Sequence, residues 1–112
     1  MSQITTHILD TTTGKPAVSV PVILYAEETG GWTEMAAGFT NVDGRIADLL
    51  SKETQLANGL YKLKFMTKPY FSQSGITTFY PFVEIVFELS STAHYHIPLL
   101  LSPFGYTTYR GS

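Results

Sequence analysis

The chain has 112 residues, 44% hydrophobic and only 14% charged, with a net charge of −2 and no cysteine. That length suits one domain, residues 1–112, with a real core. The mild negative charge supplies no basic field for nucleic acid or anionic lipid, and the missing cysteines exclude disulfides, thiolate metal sites and a cysteine nucleophile together. A charged fraction below the usual ~25% leaves less solvent-facing material, which favours oligomers. Met1-Ser2-Gln3-Ile4 begins no charged stretch followed by an apolar run, and no apolar run approaches the ~20 residues of a membrane helix. A cytoplasmic protein with no membrane span is expected.

In chain order the pattern is period two almost throughout. Residues 4–10 read as a strand and Thr11-Thr12-Thr13-Gly14-Lys15-Pro16 as a turn cluster. Residues 18–25 are apolar and β-branched, a second strand, and Gly30-Gly31 joins it to residues 32–39 as a hairpin. Asn41-Val42-Asp43-Gly44 is a turn, and Arg45 leaves it. Tyr61, Leu63 and Phe65 alternate with Lys62 and Lys64, as in a half-buried strand. Residues 67–75 give the one helix signal, with Thr67 as cap, Pro69 near the first turn and Gly75 as stop. In residues 81–89, Val83, Ile85, Phe87 and Leu89 face one way and Glu84 and Glu88 the other. Residues 95–102 are nearly all apolar after His96, as expected of a strand covered on both faces, and residues 104–109 form a last, aromatic- and threonine-rich strand. Seven or eight short strands and one short helix predict an all-β, antiparallel two-sheet sandwich.

Few residues can do chemistry. The three histidines are His7, His94 and His96, the last two positioned to share one strand face. Of seven basic residues only Arg45 and Arg110 are arginine, the better planar, bidentate partner for a carbonyl-rich or anionic ligand. Glu84 and Glu88 lie about 13 Å apart along a strand, too far for paired acid–base work. No glycine-rich phosphate loop and no Gly-x-Ser-x-Gly elbow occurs. Three readings stay open on the residues: a hydrolase using these side chains directly, a zinc hydrolase with His7, His94 and His96 as ligands, and a carrier or scaffold in which they are structural. The closing Tyr109-Arg110-Gly111-Ser112 follows directly on a strand, bringing a cation, a phenol and a carboxylate together, an arrangement suited to a site.

In sequence, His7-Ile8-Leu9-Asp10 with Gly14-Lys15-Pro16-Ala17, Thr40-Asn41 with Asp43-Gly44-Arg45, Phe79-Tyr80-Pro81, the run His94-Tyr95-His96-Ile97-Pro98-Leu99-Leu100-Leu101-Ser102-Pro103, and the closing tetrapeptide span essentially the whole chain. This series resembles the transthyretin-like family, in its enzyme branch, the 5-hydroxyisourate hydrolases. The His-Tyr-His motif and the tetrapeptide separate that branch from the hormone carriers. The resemblance implies a transthyretin-like sandwich and hydrolysis of 5-hydroxyisourate to 2-oxo-4-hydroxy-4-carboxy-5-ureidoimidazoline in urate catabolism, without a covalent intermediate, cofactor or metal. It implies a homotetramer, a dimer of dimers, with substrate sites in a central channel. His7, Arg45, His96 and Ser112 carry over as the catalytic set, with His7, Arg45 and Tyr109 as substrate contacts.

Overall fold

The computed structural model describes residues 2–112. Where apolar residues recur at every second position the chain extends and sends them to one face. In chain order the strands are β1 (Ile4–Asp10), β2 (Lys15–Pro16), β3 (Pro21–Glu28), β4 (Gly31–Phe39), β5 (Arg45–Ile46) and β6 (Gly59–Phe65). Helix α1 (Lys68–Ser72) then precedes β7 (Val83–Leu89), β8 (Tyr95–Ser102) and β9 (Gly105–Thr108). One sheet has the order β2-β1-β8-β9 with β5 also paired to β1, and the other has β4-β3-β6-β7. Ile4, Ile8 and Leu99 of the first sheet pack in one buried cluster with Val22, Leu24, Leu63, Phe65 and Val83 of the second. This is the expected two-sheet sandwich with one short helix. Among the described residues no helix is long and apolar enough to cross a membrane.

The differences from the sequence pattern have local causes. β1 and β8 run parallel in full register from Ile4↔Tyr95 to Asp10↔Leu101, so the first sheet is mixed rather than wholly antiparallel. Residue spacing carries no signal for strand direction. β3 starts at Pro21, not residue 18, because Ser19 takes φ 63° and breaks the extended run. The break is closed from inside by the buried Thr40 hydroxyl, which donates to Ala17 O (2.7 Å) and accepts from Val20 N–H (2.9 Å). The helix is shorter than residues 67–75, and Thr67, at the N-cap position, makes no side-chain cap bond. Its buried Oγ1 has no hydrogen-bond partner among the described residues. Gly75, at φ 70°, ends the turn as expected. Asp10 ties this helix to the first sheet: its carboxylate accepts from the Tyr70 hydroxyl (2.8 Å) and from the Thr12 N–H (3.0 Å).

Candidate active site

The first sheet's outer face collects the polar residues. Laddered partners share a face, and Thr5 lies opposite His96 while His7 lies opposite both Arg45 and Pro98. Their neighbours Ile4, Thr6 and Ile8 are buried, which turns Thr5, His7, Arg45 and His96 outward. β9 runs antiparallel to β8, and beyond it Gly111 bridges to His96, its N–H donating to His96 O at 2.8 Å. That bridge draws Ser112 alongside. The result is an open cavity of about 350 Å³ lined by Thr5, Thr6, Arg45, Ile46, Ala47, His94, His96 and Ser112, within the usual range for a small-molecule site. Arg45, His96 and Ser112 are thus brought together. His7 sits at the margin on the same face and does not line the cavity. Tyr109, 57% exposed, borders a different cavity.

Arg45 is aimed by the turn before it. The Asn41 side-chain oxygen accepts the N–H groups of Asp43 (2.9 Å) and Arg45 (3.0 Å). Gly44, at φ 72°, presses its carbonyl onto β1, where it accepts the Ile8 N–H at 2.8 Å. Arg45 is exposed and makes no ion pair among the described residues, so its charge is uncommitted.

Both histidines on this face are held below the ordinary value of 6.5. For His96 the first cause is burial, followed by the Arg45 charge and the neighbouring His94 and His7. For His7 burial again leads and Arg45 adds to it, while a backbone contact to Asp43 and that residue's carboxylate push back. Both rings are therefore neutral at pH 7. As pH falls, the unfolded chain protonates first, near 6.5, so this contribution to stability is full above 6.5 and is lost as pH drops toward the lower folded values. A proton NMR titration is expected to place both ring midpoints below 6.5 in the folded protein. Midpoints at or above 6.5 would contradict the burial and Arg45 effects.

The HIUase/Transthyretin family model matches residues 4–111. The chain belongs to the HIUase/Transthyretin family. It is 46% identical over 114 residues to a 5-hydroxyisourate hydrolase of Mus musculus, covering 99% of this chain and 96% of that one. Among solved structures it is similar to sea bream transthyretin in complex with thyroxine, at 37% identity and TM-score 0.91 over 98% of this chain and 95% of that one. It is equally similar in sequence, 37%, to the 5-hydroxyisourate hydrolase of Klebsiella pneumoniae, with TM-score 0.86 over 97% and 92% of the two chains.

Three features of this family member escape a reading of the residues alone. First, the Thr5 hydroxyl lies 2.7 Å from His96 Nδ1 and 2.8 Å from His94 Nε2. The available signal was that Thr5 stands two residues before His7 and so shares its face. Second, Gly111 has a steric reason. A Cβ there would lie 2.6 Å from His96 Cδ2 and 3.2 Å from Pro98 Cγ, so only glycine lets the closing segment cross the ring. Gly111→Ala is expected to leave the melting temperature nearly unchanged but to move the His96 ring resonances and lower turnover. Unmoved resonances would show that the segment yields instead. Third, Arg110 turns away from the site, its guanidinium carbon 4.3 Å from the Tyr95 ring centroid, a cation–π contact that anchors the segment. Among the described residues no group of three or more His, Cys, Asp or Glu is placed to hold one metal ion. His7, His94 and His96 are thus not gathered as the three-ligand set that the zinc reading requires.

Proposed function

We propose that the chain is a 5-hydroxyisourate hydrolase of urate catabolism, acting in the cytoplasm as a homotetramer. The observation that carries this reading is the convergence of Arg45, His96 and Ser112 on one open cavity, with His7 beside them. Hydrolysis adds water to a ring carbonyl of 5-hydroxyisourate and breaks the adjoining C–N bond, giving 2-oxo-4-hydroxy-4-carboxy-5-ureidoimidazoline. The step needs a base for water, a donor for the developing oxyanion and a clamp for a flat polar ring.

His96 and His7, both neutral at pH 7, supply the base and orient the water. Arg45 holds the ring oxygens in a planar fork and stabilises the anion as it forms. The Ser112 hydroxyl orders the water. No covalent intermediate is needed, in keeping with a chain without cysteine. The tetramer is supported by exposed aromatics, with Phe39, Phe79 and Phe104 each about two-thirds exposed in the single chain. Tyr109, exposed and outside its own chain's cavity, would reach substrate in that assembly.

The likeness to a thyroxine-bound transthyretin favours a second reading, a carrier of small aromatic ligands. Catalysis and carriage differ in protons. Opening the ring yields a carboxylic acid that ionises, so each turnover releases one proton. Titration at constant pH, started once urate oxidase has exhausted its urate, should count one proton per 5-hydroxyisourate lost, at a rate set by the added chain. Binding without accelerated proton release would leave the carrier.

A further inference from the structure

We infer that Thr5 and His94 form a relay carrying the proton that His96 takes from water out to solvent, a role that rests on His96 acting as the base. One hydroxyl, Thr5 Oγ1, touches both rings, 2.7 Å from His96 Nδ1 and 2.8 Å from His94 Nε2. A threonine hydroxyl has one proton to give and lone pairs to accept. It therefore donates to one ring and accepts an N–H from the other, and the two arrangements are mirror states of one chain. In the resting state His96 Nδ1–H donates to Thr5, Thr5 donates to His94 Nε2, and His96 Nε2 is bare. That bare nitrogen is what a base requires.

The step balances without a further reactant. The water O–H bond breaks as the His96 Nε2–H bond forms. The Nδ1 proton of His96 passes to Thr5 Oγ1, and the Thr5 proton passes to His94 Nε2. His96 ends neutral with its proton on Nε2 and His94 ends as the imidazolium, while the ring C–N bond breaks and the leaving nitrogen takes its proton from the carboxylic acid formed beside it, which ends as carboxylate. Every hydrogen bond of the chain is retained with its direction reversed.

The fold gives that proton an exit. His94 is exposed and lines two cavities, the one holding His96 and a smaller, polar one of about 160 Å³ bordered by Gln3, Lys52 and Thr92. Two permanent cations border the pair, Arg45 on the His96 side and Lys52 on the His94 side, and Ser112 shares the cavity with both rings. The His94 ring is exposed, so the imidazolium gives its Nδ1 proton to bulk water. The net proton of ring hydrolysis leaves by this path, and His96 returns to its bare-Nε2 tautomer as its Nε2 proton passes to water, His94 Nδ1 takes one from water and the chain of hydrogen bonds reverses.

The test compares the parent with His94→Ala, Thr5→Val and Thr5→Ser on freshly made 5-hydroxyisourate in dilute, non-imidazole buffer, with melting temperatures as a check on folding. His94 is exposed, so its removal leaves the fold intact, and this variant decides the outcome. His94→Ala should lose on the order of tenfold in kcat, below the ~10²-fold minimum set for the base itself, with KM unchanged. Added imidazole should restore it by taking the proton in place of the missing ring. Thr5→Val should lose as much without rescue, and Thr5→Ser should keep activity. A His94→Ala kcat within about twofold of the parent, a loss confined to KM, or a loss that imidazole leaves untouched overturns the relay. His96→Ala run alongside separates the two ideas. If it is inactive while His94→Ala is normal, only the relay fails, whereas full activity in His96→Ala removes the base on which it rests.

Discussion

His96→Ala is expected to lower kcat for 5-hydroxyisourate by at least about 10²-fold while the protein stays folded. His96 projects from the outer face of β8, away from the core side on which Tyr95 and Ile97 are buried. Removing its ring therefore opens no core cavity, and the cost in stability is small. The loss is catalytic: about 2.7 kcal/mol of transition-state stabilisation corresponds to that factor. His7→Ala and Arg45→Ala should fall at least as far as the same ~10²-fold, His7 because it orients the water, Arg45 because a charge aimed at a forming oxyanion typically contributes that much. Arg45 is the sharper case, being exposed and unpaired among the described residues, so its removal breaks no ion pair. Circular dichroism and thermal melting separate these losses from unfolding. Normal turnover in all three variants would leave the outer face without a catalytic role.

Gly44→Ala should have the largest effect on stability, a loss of roughly 2–5 kcal/mol by denaturant titration. Two costs add. Gly44 sits at φ 72°, where an L side chain is strained by about 1–2 kcal/mol. A Cβ there would also lie 2.6 Å from Ile8 O, 2.9 Å from Pro16 Cβ and 3.3 Å from Ala17 N. The first and last are backbone atoms joined by the Ala17 N–H to Ile8 O bond of 3.0 Å, so relief requires moving β1 itself. Overpacking of that kind adds about 1–3 kcal/mol. Gly14 is the internal control. It has a nearly identical φ of 73° but open space around it, so Gly14→Ala should cost only the backbone share. Equal losses at the two glycines would show that φ alone matters. A larger loss at Gly44, together with reduced turnover, would tie the close approach of the turn to the aim of Arg45.

The sandwich was readable because its strands alternate strictly. Tyr61, Leu63 and Phe65 against Lys62 and Lys64 put a buried face and a wetter face where they are found. Periodicity is blind to partners, however, and it missed both the parallel β1–β8 pairing and the two-residue strands β2 and β5. That pairing matters for the site, since it sets Thr5 level with His96 and His7 level with Pro98. His7, Arg45 and His96 stood out in sequence as rare residue types in a weakly charged chain, and their gathering follows from the register. Thr5 did not stand out, because threonine is common on strands and its hydroxyl gains meaning only between two rings. Arg110 looked like a site residue by position, but its side chain alternates to the opposite face from Gly111 and rests on Tyr95.

That this outer face hydrolyses 5-hydroxyisourate is tested most directly by following the ultraviolet decay of the compound as urate oxidase generates it, with and without the purified protein. Decay accelerated in proportion to protein concentration, and returned to the blank rate by His96→Ala, is the predicted result. Decay at the blank rate with the folded parent protein present would contradict it.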